Sequence, residues 1–244
     1  MIADPFHGRS DSFDQLPWFS DPLLNEWICR VLAAYGFTIC DVGAGTGLMV
    51  SHYDAHFRVG TLVEPSESMR ALLQERVGAD SDFRVCAGTA EDLPLSDNEC
   101  EVVLSKNALH HATDVDVAIQ EMARVASSVI AIAEVTLPDE AARSYLEQLL
   151  PRKEHGRSTH TIWSPKQLGE LMRPHCRKVH LLHHDQFIDL DLWLDSSPLA
   201  KNERDELKAM VRSQPNEVAD AMLLHERHGR LTQLRRITLA VGFV

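Results

Sequence analysis

Three glycines follow a short apolar run near the start of the chain. Gly43, Gly45 and Gly47 lie within five positions, directly after the strand-like stretch TICDV at 38–42. Because glycine lacks a side chain, a glycine-rich turn between a strand and a helix lets the backbone approach a ligand closely. The stretch therefore indicates a small-molecule site at the first strand–helix junction, although a tight structural turn would have the same composition.

The spacing of these glycines bears on the kind of nucleotide. Dinucleotide dehydrogenases place a pyrophosphate on a G-x-G-x-x-G turn at a helix N-terminus. This chain reads G-x-G-x-G and has Leu48 in the sixth position. A nicotinamide dehydrogenase is therefore disfavoured.

A carboxylate closes the second strand-like run. Glu64 follows the apolar stretch 59–63, 17 residues after Gly47. An acid in this position can accept hydrogen bonds from both hydroxyls of a ribose, and the alternative is an ordinary surface acid at a strand end. Two further segments, 88–95 and 104–111, end the third and fourth strand-like runs. The glycine turn, Glu64 and these two segments are therefore all expected at the edge of the sheet where open α/β sheets bind ligands.

Alternation of strand-like and helical patterns predicts the fold class. Strand-like runs at 38–43, 59–64, 82–88, 100–106 and 127–135 are separated by segments with helical periodicity, which favours βαβ units and a doubly wound α/β fold. Beyond them we predict helices around 200–213 and 215–228, and a final strand that ends the chain.

Charge and cysteine content restrict the function class. The net charge is -12, from 24 Lys and Arg against 36 Asp and Glu, which disfavours bulk binding of nucleic acid. The five cysteines form no CxxC pair, so a reducing, cytoplasmic location is expected. From the sequence we expect neither a signal peptide nor a membrane-spanning segment.

With these motifs in order, the chain resembles the class I S-adenosylmethionine-dependent methyltransferases. The matching stretches are DVGAGTG (41–47), LVEPSESM (62–69), GTAEDLPL (88–95) and SKNALHH (105–111). The resemblance is close to the small-molecule branch that includes the ubiquinone and menaquinone C-methyltransferases. It implies a Rossmann-like, mostly parallel seven-stranded sheet with helices on both faces and an antiparallel last strand. We expect a single domain, 1–244, with a cap at 1–36, a cofactor-binding core at 37–136 and an acceptor-side segment with the C-terminal strands at 137–244.

The same resemblance implies roles for particular residues around S-adenosylmethionine. It assigns the methionine part to Gly43, Gly45 and Thr46, with Asp41 near the amino group, and the ribose to Glu64. Around the remaining parts of the cofactor it assigns Pro65, Met69, Thr89, Ala90 and Glu91 to the adenine and Ser105 and Lys106 to the thioether side.

Methyl transfer needs a nucleophile aligned on the methyl group and water kept out. A general base helps where the acceptor is a hydroxyl or an activated carbon, and histidine is the usual one near neutral pH. Of the 13 histidines, His110 and His111 end the fourth strand-like run, so they are the catalytic candidates, His111 first. The alternative is that both rings only bond backbone groups in the turn. His183 and His184 are adjacent on a strand-like run and so point to opposite faces. No Cys or carboxylate cluster joins them or His225 and His228, so no metal site is predicted.

The acceptor side is less clearly marked. Trp18 and Phe19 belong to an aromatic N-terminal arm that either covers the pocket as a lid or packs as ordinary core, and His160 lies in an irregular segment. We expect a small organic acceptor. RNA or protein methylation and a non-catalytic cofactor-binding subunit are the alternatives, and a homodimer is left open.

Overall fold

The computed structural model describes residue 17 and residues 20–153, 161–195, 199–227 and 229–244. Trp18, Phe19 and His160, the predicted acceptor-side residues, lie outside the described residues.

The described residues form an eight-stranded sheet. The strands are β1 (Thr38–Val42), β2 (Val59–Val63), β3 (Phe83–Cys86), β4 (Cys100–Lys106), β5 (Ala126–Thr136), β6 (Lys178–Asp189), β7 (His225–Arg227) and β8 (Arg230–Phe243). Their order is β3-β2-β1-β4-β5-β8-β6, and β7 pairs with β8 alongside this path. The pairs β1–β2, β1–β4, β2–β3 and β4–β5 are parallel, whereas β7–β8 is antiparallel. The predicted Rossmann-like α/β class is confirmed, and β7 adds a short eighth strand to the seven expected.

Helices connect these strands. They are α1 (Pro22–Leu32), α2 (Val50–His56), α3 (Glu67–Val77), α4 (Val115–Val125), α5 (Arg143–Lys153), α6 (Pro165–Met172), α7 (Leu190–Asp195), α8 (Lys201–Arg212) and α9 (Asn216–Ala221), with 3₁₀ turns at Leu109–His111 and Glu140–Ala142. Among the described residues, none of these helices has the length and apolar character needed to cross a membrane.

Polar caps fix where several helices begin. The Asp21 carboxylate accepts hydrogen bonds from the first N–H groups of α1, the Ser66 hydroxyl from Met69 N–H in α3, and the Asp114 carboxylate from two N–H groups of α4. Such caps satisfy backbone donors that have no partner within the helix. They define the starts of α3 and α4, both of which border loops that carry predicted site residues.

Two sequence-predicted helices differ from the structure. The helical segment predicted between the first two strand-like runs begins only at Val50, because the preceding turn contains Gly45 and Gly47 with positive φ angles. The helix expected over 215–228 ends at Ala221, where Leu223 follows with φ of 45° and β7 begins two residues later. A left-handed residue ends a helix, and the chain then turns back into a hairpin.

The chain divides into two compact units. Of the described residues, the first unit contains those up to Glu134, together with 169–182 and 239–244, and the second contains 135–168 and 183–238. All four loops that carry the predicted cofactor residues belong to the first unit. The domain boundaries expected at 36 and 136 stay a prediction.

Parallel pairing within the first unit sets the position of these loops. Asp41 of β1 pairs with Leu62 of β2 on one side and with Leu104 of β4 on the other. These central strands are almost wholly buried, as expected for a parallel sheet. Their carboxyl ends therefore lie side by side at one edge of a rigid core.

Candidate functional site

A cavity of about 260 Å³ lies at the carboxyl ends of β1, β2 and β4. Every residue that the sequence assigns to the cofactor lines it, together with His111. These cofactor residues are Asp41, Gly43, Gly45, Thr46, Glu64, Pro65, Met69, Thr89, Ala90, Glu91, Ser105 and Lys106. Segments that are far apart in the sequence thus meet around one space.

The glycine turn is held in a conformation that few other residues adopt. Gly43, Gly45 and Gly47 have φ angles of 77°, 58° and 86°. A Cβ atom added at Gly43 would lie 2.5 Å from the Ala108 Cβ, whereas one added at Gly45 would meet nothing within 4 Å. Gly43 is therefore required by packing, while Gly45 leaves bare backbone beside open space.

The Glu64 carboxylate joins the first two loops. Its Oε2 accepts a hydrogen bond from Gly45 N–H and its Oε1 one from Ser66 N–H, each at 2.8 Å. The side chain is only 4% exposed. A buried carboxylate with two backbone donors is well satisfied, so Glu64 holds the glycine turn against the start of α3.

Asp41 is a buried acid at the end of β1. Its Oδ2 accepts a 2.7 Å hydrogen bond from the Tyr53 hydroxyl, and both side chains are buried. Burial raises the pKa of Asp41 to about 6, although the Tyr53 hydrogen bond and the charge of Lys106 act in the opposite direction. The ionised form is therefore costly at this position, and a cation beside it would stabilise it.

Two polar atoms on the cavity wall lack partners. Among the described residues, the buried side-chain atoms without a hydrogen bond are Ser105 Oγ, Asn107 Oδ1 and the amide of Asn25, of which the first two residues line the cavity. Asn107 has φ of 51°, and its N–H donates to Ala133 O at 2.8 Å. Because a buried polar atom without a partner is costly, these two atoms indicate a polar ligand in the cavity.

Other predicted cofactor residues support neighbouring turns. Glu91 Oε1 accepts hydrogen bonds from Thr113 N–H at 2.6 Å and Asp114 N–H at 3.3 Å. Its carboxylate thus holds the turn before α4. On the other side, the Arg70 guanidinium donates to the Glu64 and Pro65 carbonyl oxygens.

The two candidate histidines occupy different places. His111 lines the cavity, but His110 is not among the lining residues. Instead, the His110 ring lies against the buried acid Glu134, with 2.9 Å between Nδ1 and Oε2. The pair of histidines is therefore split into one ring at the cavity and one ring in a polar contact behind it.

Three polar residues of this region were not singled out from the sequence. Tyr53 is the hydrogen-bond partner of Asp41, Asn107 contributes a partnerless oxygen, and Glu134 bonds His110. Asn107 lies inside the SKNALHH stretch, so its polarity at a strand end was a usable signal. The partners of Tyr53 and Glu134 depend on tertiary contacts that no local pattern reveals.

Comparisons with known proteins agree with this geometry. Residues 40–128 match the family model described as "Methyltransferase domain". The chain is 38% identical over 90 residues to a ubiquinone/menaquinone biosynthesis C-methyltransferase, UbiE, of Rubrivivax gelatinosus, which covers 37% of this chain and 35% of that protein. It is 27% identical over 181 residues to a malonyl-[acyl-carrier protein] O-methyltransferase of Pectobacterium atrosepticum, with 74% and 69% covered.

A solved structure supports the fold over a longer stretch. The YcgJ protein of Bacillus subtilis superposes with a TM-score of 0.78 at 16% identity, over 90% of this chain and 97% of that one. The sequence match to the UbiE relative spans only about a third of that protein's length. The family-model match, residues 40–128, includes the residues that line the cavity.

Glu64→Ala should lower the free energy of unfolding by about 1–3 kcal/mol, because the buried Ser66 N–H and the part-buried Gly45 N–H lose their acceptor. Urea denaturation monitored by circular dichroism measures the change. Glu75→Ala, at an exposed position of α3, is the control and should change stability by less than about 0.5 kcal/mol. Equal stabilities of both variants would show that Glu64 does not hold the turn.

Asp41→Asn should change the pH dependence of stability. The folded pKa of about 6 lies above the ordinary value of 3.8, so the folded state binds the proton more tightly. The stability contributed by protonated Asp41 is present below about pH 4 and is lost as the pH rises through 6. We therefore expect the free energy of unfolding of Asp41→Asn to exceed that of the wild type by as much as about 3 kcal/mol at pH 8. Near pH 4 the two free energies should be equal.

Denaturation curves between pH 4 and pH 8 measure this difference. The control is Asp54→Asn on the same helix as Tyr53, an exposed position whose curve should run parallel to the wild type. A parallel curve for Asp41→Asn as well would contradict a raised pKa at Asp41.

Proposed function

We propose that the chain, whose residues 40–128 form a class I methyltransferase domain related to the ubiquinone/menaquinone C-methyltransferases, uses S-adenosylmethionine to methylate a small organic acceptor. The observation that carries this proposal is the convergence of the four predicted motifs on one cavity at the carboxyl ends of β1, β2 and β4.

The residues present fit this cofactor. Bare backbone at Gly45 borders open space, and Ser105 Oγ and Asn107 Oδ1 are buried without partners on the same wall. A nucleoside with an amino acid tail offers hydroxyl, amino and ring-nitrogen groups to such a wall. Close backbone approach and unsatisfied polar atoms are what a polar ligand of this kind requires.

Each part of the wall has a proposed role. Asp41 attracts the amino group of the methionine moiety at the Gly43–Thr46 turn, and the Glu64 carboxylate accepts hydrogen bonds from the ribose hydroxyls. The remaining assignments are Pro65, Met69, Thr89, Ala90 and Glu91 around the adenine, and Ser105 and Lys106 along the thioether side. When bound, S-adenosylmethionine supplies an electrophilic methyl group on a sulfonium, whose carbon–sulfur bond breaks with its electron pair going to sulfur.

We assign proton acceptance to His111. It lines the cavity beside Asn107 and Ala108, where a ring nitrogen can take the proton that an acceptor O–H, N–H or C–H releases. We assign a supporting role to His110, which contacts Glu134 and does not line the cavity. The rest of the chain's task is to align the acceptor and to exclude water.

The acceptor is proposed to be small and not a nucleic acid. The net charge of -12 repels a phosphate backbone. Trp18, Phe19 and His160 are proposed to contact the acceptor, and the five free thiols favour a cytoplasmic setting.

Isothermal titration with S-adenosylmethionine and S-adenosylhomocysteine tests the cofactor assignment, and absence of binding by both would overturn it. Incubation with a methyl-labelled donor and fractionated metabolites, followed by mass spectrometry, tests the reaction and identifies the acceptor. Label transferred only to RNA or protein would overturn the proposed acceptor class. Cofactor binding without any transfer would favour a non-catalytic subunit.

Gly45→Ala should weaken S-adenosylmethionine binding by more than about tenfold, which corresponds to about 1.4 kcal/mol, because its added methyl group borders the space proposed for the methionine moiety. Gly78→Ala is the matched control. Gly78 also has a positive φ, 76°, and open space around its added Cβ, but it does not line the cavity. Both variants should lose stability from backbone strain, and only Gly45→Ala should lose affinity in a titration. Equal affinities would place the cofactor elsewhere.

A further inference from the structure

A buried acid lies directly behind the two histidines that end β4. Glu134 on β5 is 2% exposed, and the His110 side chain is 13% exposed. Glu134 Oε2 lies 2.9 Å from His110 Nδ1, and Oε1 accepts from the His110 backbone N–H at 3.4 Å. The carboxylate thus contacts both the ring and the backbone of one residue.

This contact fixes the state of the His110 ring. A carboxylate only accepts hydrogen bonds, so the proton between the two groups belongs to Nδ1. Burial alone would raise the pKa of Glu134, but the His110 imidazole beside it holds that pKa below its usual range. An ionised, buried carboxylate in turn favours the imidazolium form of His110.

The His110 ring is in contact with the next one. The ring centroids of His110 and His111 are 4.1 Å apart, with 50° between the ring planes. A positive charge on one ring at this distance opposes protonation of the other. The Glu134 charge acts on His111 in the opposite direction, but it acts more strongly on His110. The His110 imidazolium, in ring contact with His111, therefore favours the neutral form of His111, which lines the cavity and in that form can accept a proton.

The turn that carries both rings is held by the same strand. Asn107 N–H donates to Ala133 O, the residue before Glu134, at 2.8 Å. Leu109, between Asn107 and the histidines, is fully buried. Strand β5 thus fixes the backbone of the turn and, through Glu134, the orientation of the His110 ring.

We propose that Glu134 is a positioning residue that acts through His110 to hold His111 neutral at the cavity, ready to receive the acceptor's proton. In the proton transfer, an acceptor O–H, N–H or C–H bond breaks, its electron pair stays on the acceptor atom, and the proton bonds to a ring nitrogen of His111. Glu134 keeps its charge throughout. The catalytic use of His111 rests on the proposed function. The electrostatic coupling of Glu134, His110 and His111 does not depend on it.

Histidine-selective ¹⁵N labelling and NMR titration from pH 4 to pH 9 test the coupling in the intact chain. In Glu134→Gln the side-chain shape is kept but the charge is lost. We expect the titration midpoint of His110 to fall by about one pH unit or more, and that of His111 to rise. Movement of two adjacent rings in opposite directions is a result that loss of packing alone would not produce. Unchanged midpoints of both rings would overturn the proposal.

A second variant covers the case in which Glu134→Gln does not fold. His110→Asn keeps an N–H donor for Glu134 but removes the charged ring, so the His111 midpoint should rise as in Glu134→Gln. Asp116→Asn is the control, because Asp116 pairs with His175 at an exposed position, with 71% of the Asp116 side chain accessible. It should leave the midpoints of His110 and His111 in place. An unchanged His111 midpoint in His110→Asn would contradict the coupling.

Kinetics separate this inference from the proposed function. The other ionisable groups on the cavity wall, Asp41, Glu64, Glu91 and Lys106, are the same in all variants. With the acceptor found by labelling, the acid limb of the kcat profile should move to higher pH in Glu134→Gln, while S-adenosylmethionine affinity stays unchanged. Failure to bind S-adenosylmethionine would end the proposed function and leave the NMR result standing. Opposite NMR shifts without a moved acid limb would overturn the positioning role in catalysis.

Discussion

The organisation of the site depends on the two backbone hydrogen bonds that the Glu64 carboxylate accepts. One comes from Gly45 in the turn after β1 and the other from Ser66 at the start of α3. Parallel pairing of β1 and β2 brings the two loops side by side, and the Glu64 carboxylate then gives one donor in each loop a common acceptor. Glu64, which the resemblance assigns to the ribose, is thus also the brace of the site, because its carboxylate connects the glycine turn with the start of α3. A single side chain can do both since each carboxylate oxygen has more than one lone pair.

Around this brace the cavity wall contains polar groups that the protein alone leaves poorly satisfied. Asp41 is buried with a raised pKa, and Ser105 and Asn107 contribute oxygen atoms without partners. Natural cores rarely retain such groups unless a ligand or catalytic role compensates for their cost. A cationic, hydroxyl-rich ligand would supply what each of them lacks. These groups are costly to bury without a ligand, so ligand binding in the cavity should stabilise the fold.

The sequence predicted the parts of this arrangement that depend on local chemistry. The glycine spacing and Glu64 at its strand end each follow from backbone rules that operate over a few residues. The region 215–228 was wrongly predicted as one helix, because its end is set by Leu223 in a left-handed conformation and by pairing of β7 with β8. Glu134 was missed for a related reason. It lies 24 residues from His110 and meets it only because β4 and β5 are neighbours.

The glycine turn and Glu64, on the one hand, and the two candidate histidines, on the other, depend on different strands. Strands β1 and β2 position the glycine turn and Glu64, whereas β5 positions the turn with Asn107, His110 and His111 through Ala133 and Glu134. The glycine turn and Glu64, proposed for the cofactor, are therefore held by strands on one side of β4, and the two histidines, proposed for proton transfer, are held from β5 on the other side. Substitutions on β5 can alter the histidine pair without disturbing the Glu64 brace. Such independence would allow the turn with the two histidines to change while the glycine turn stays fixed.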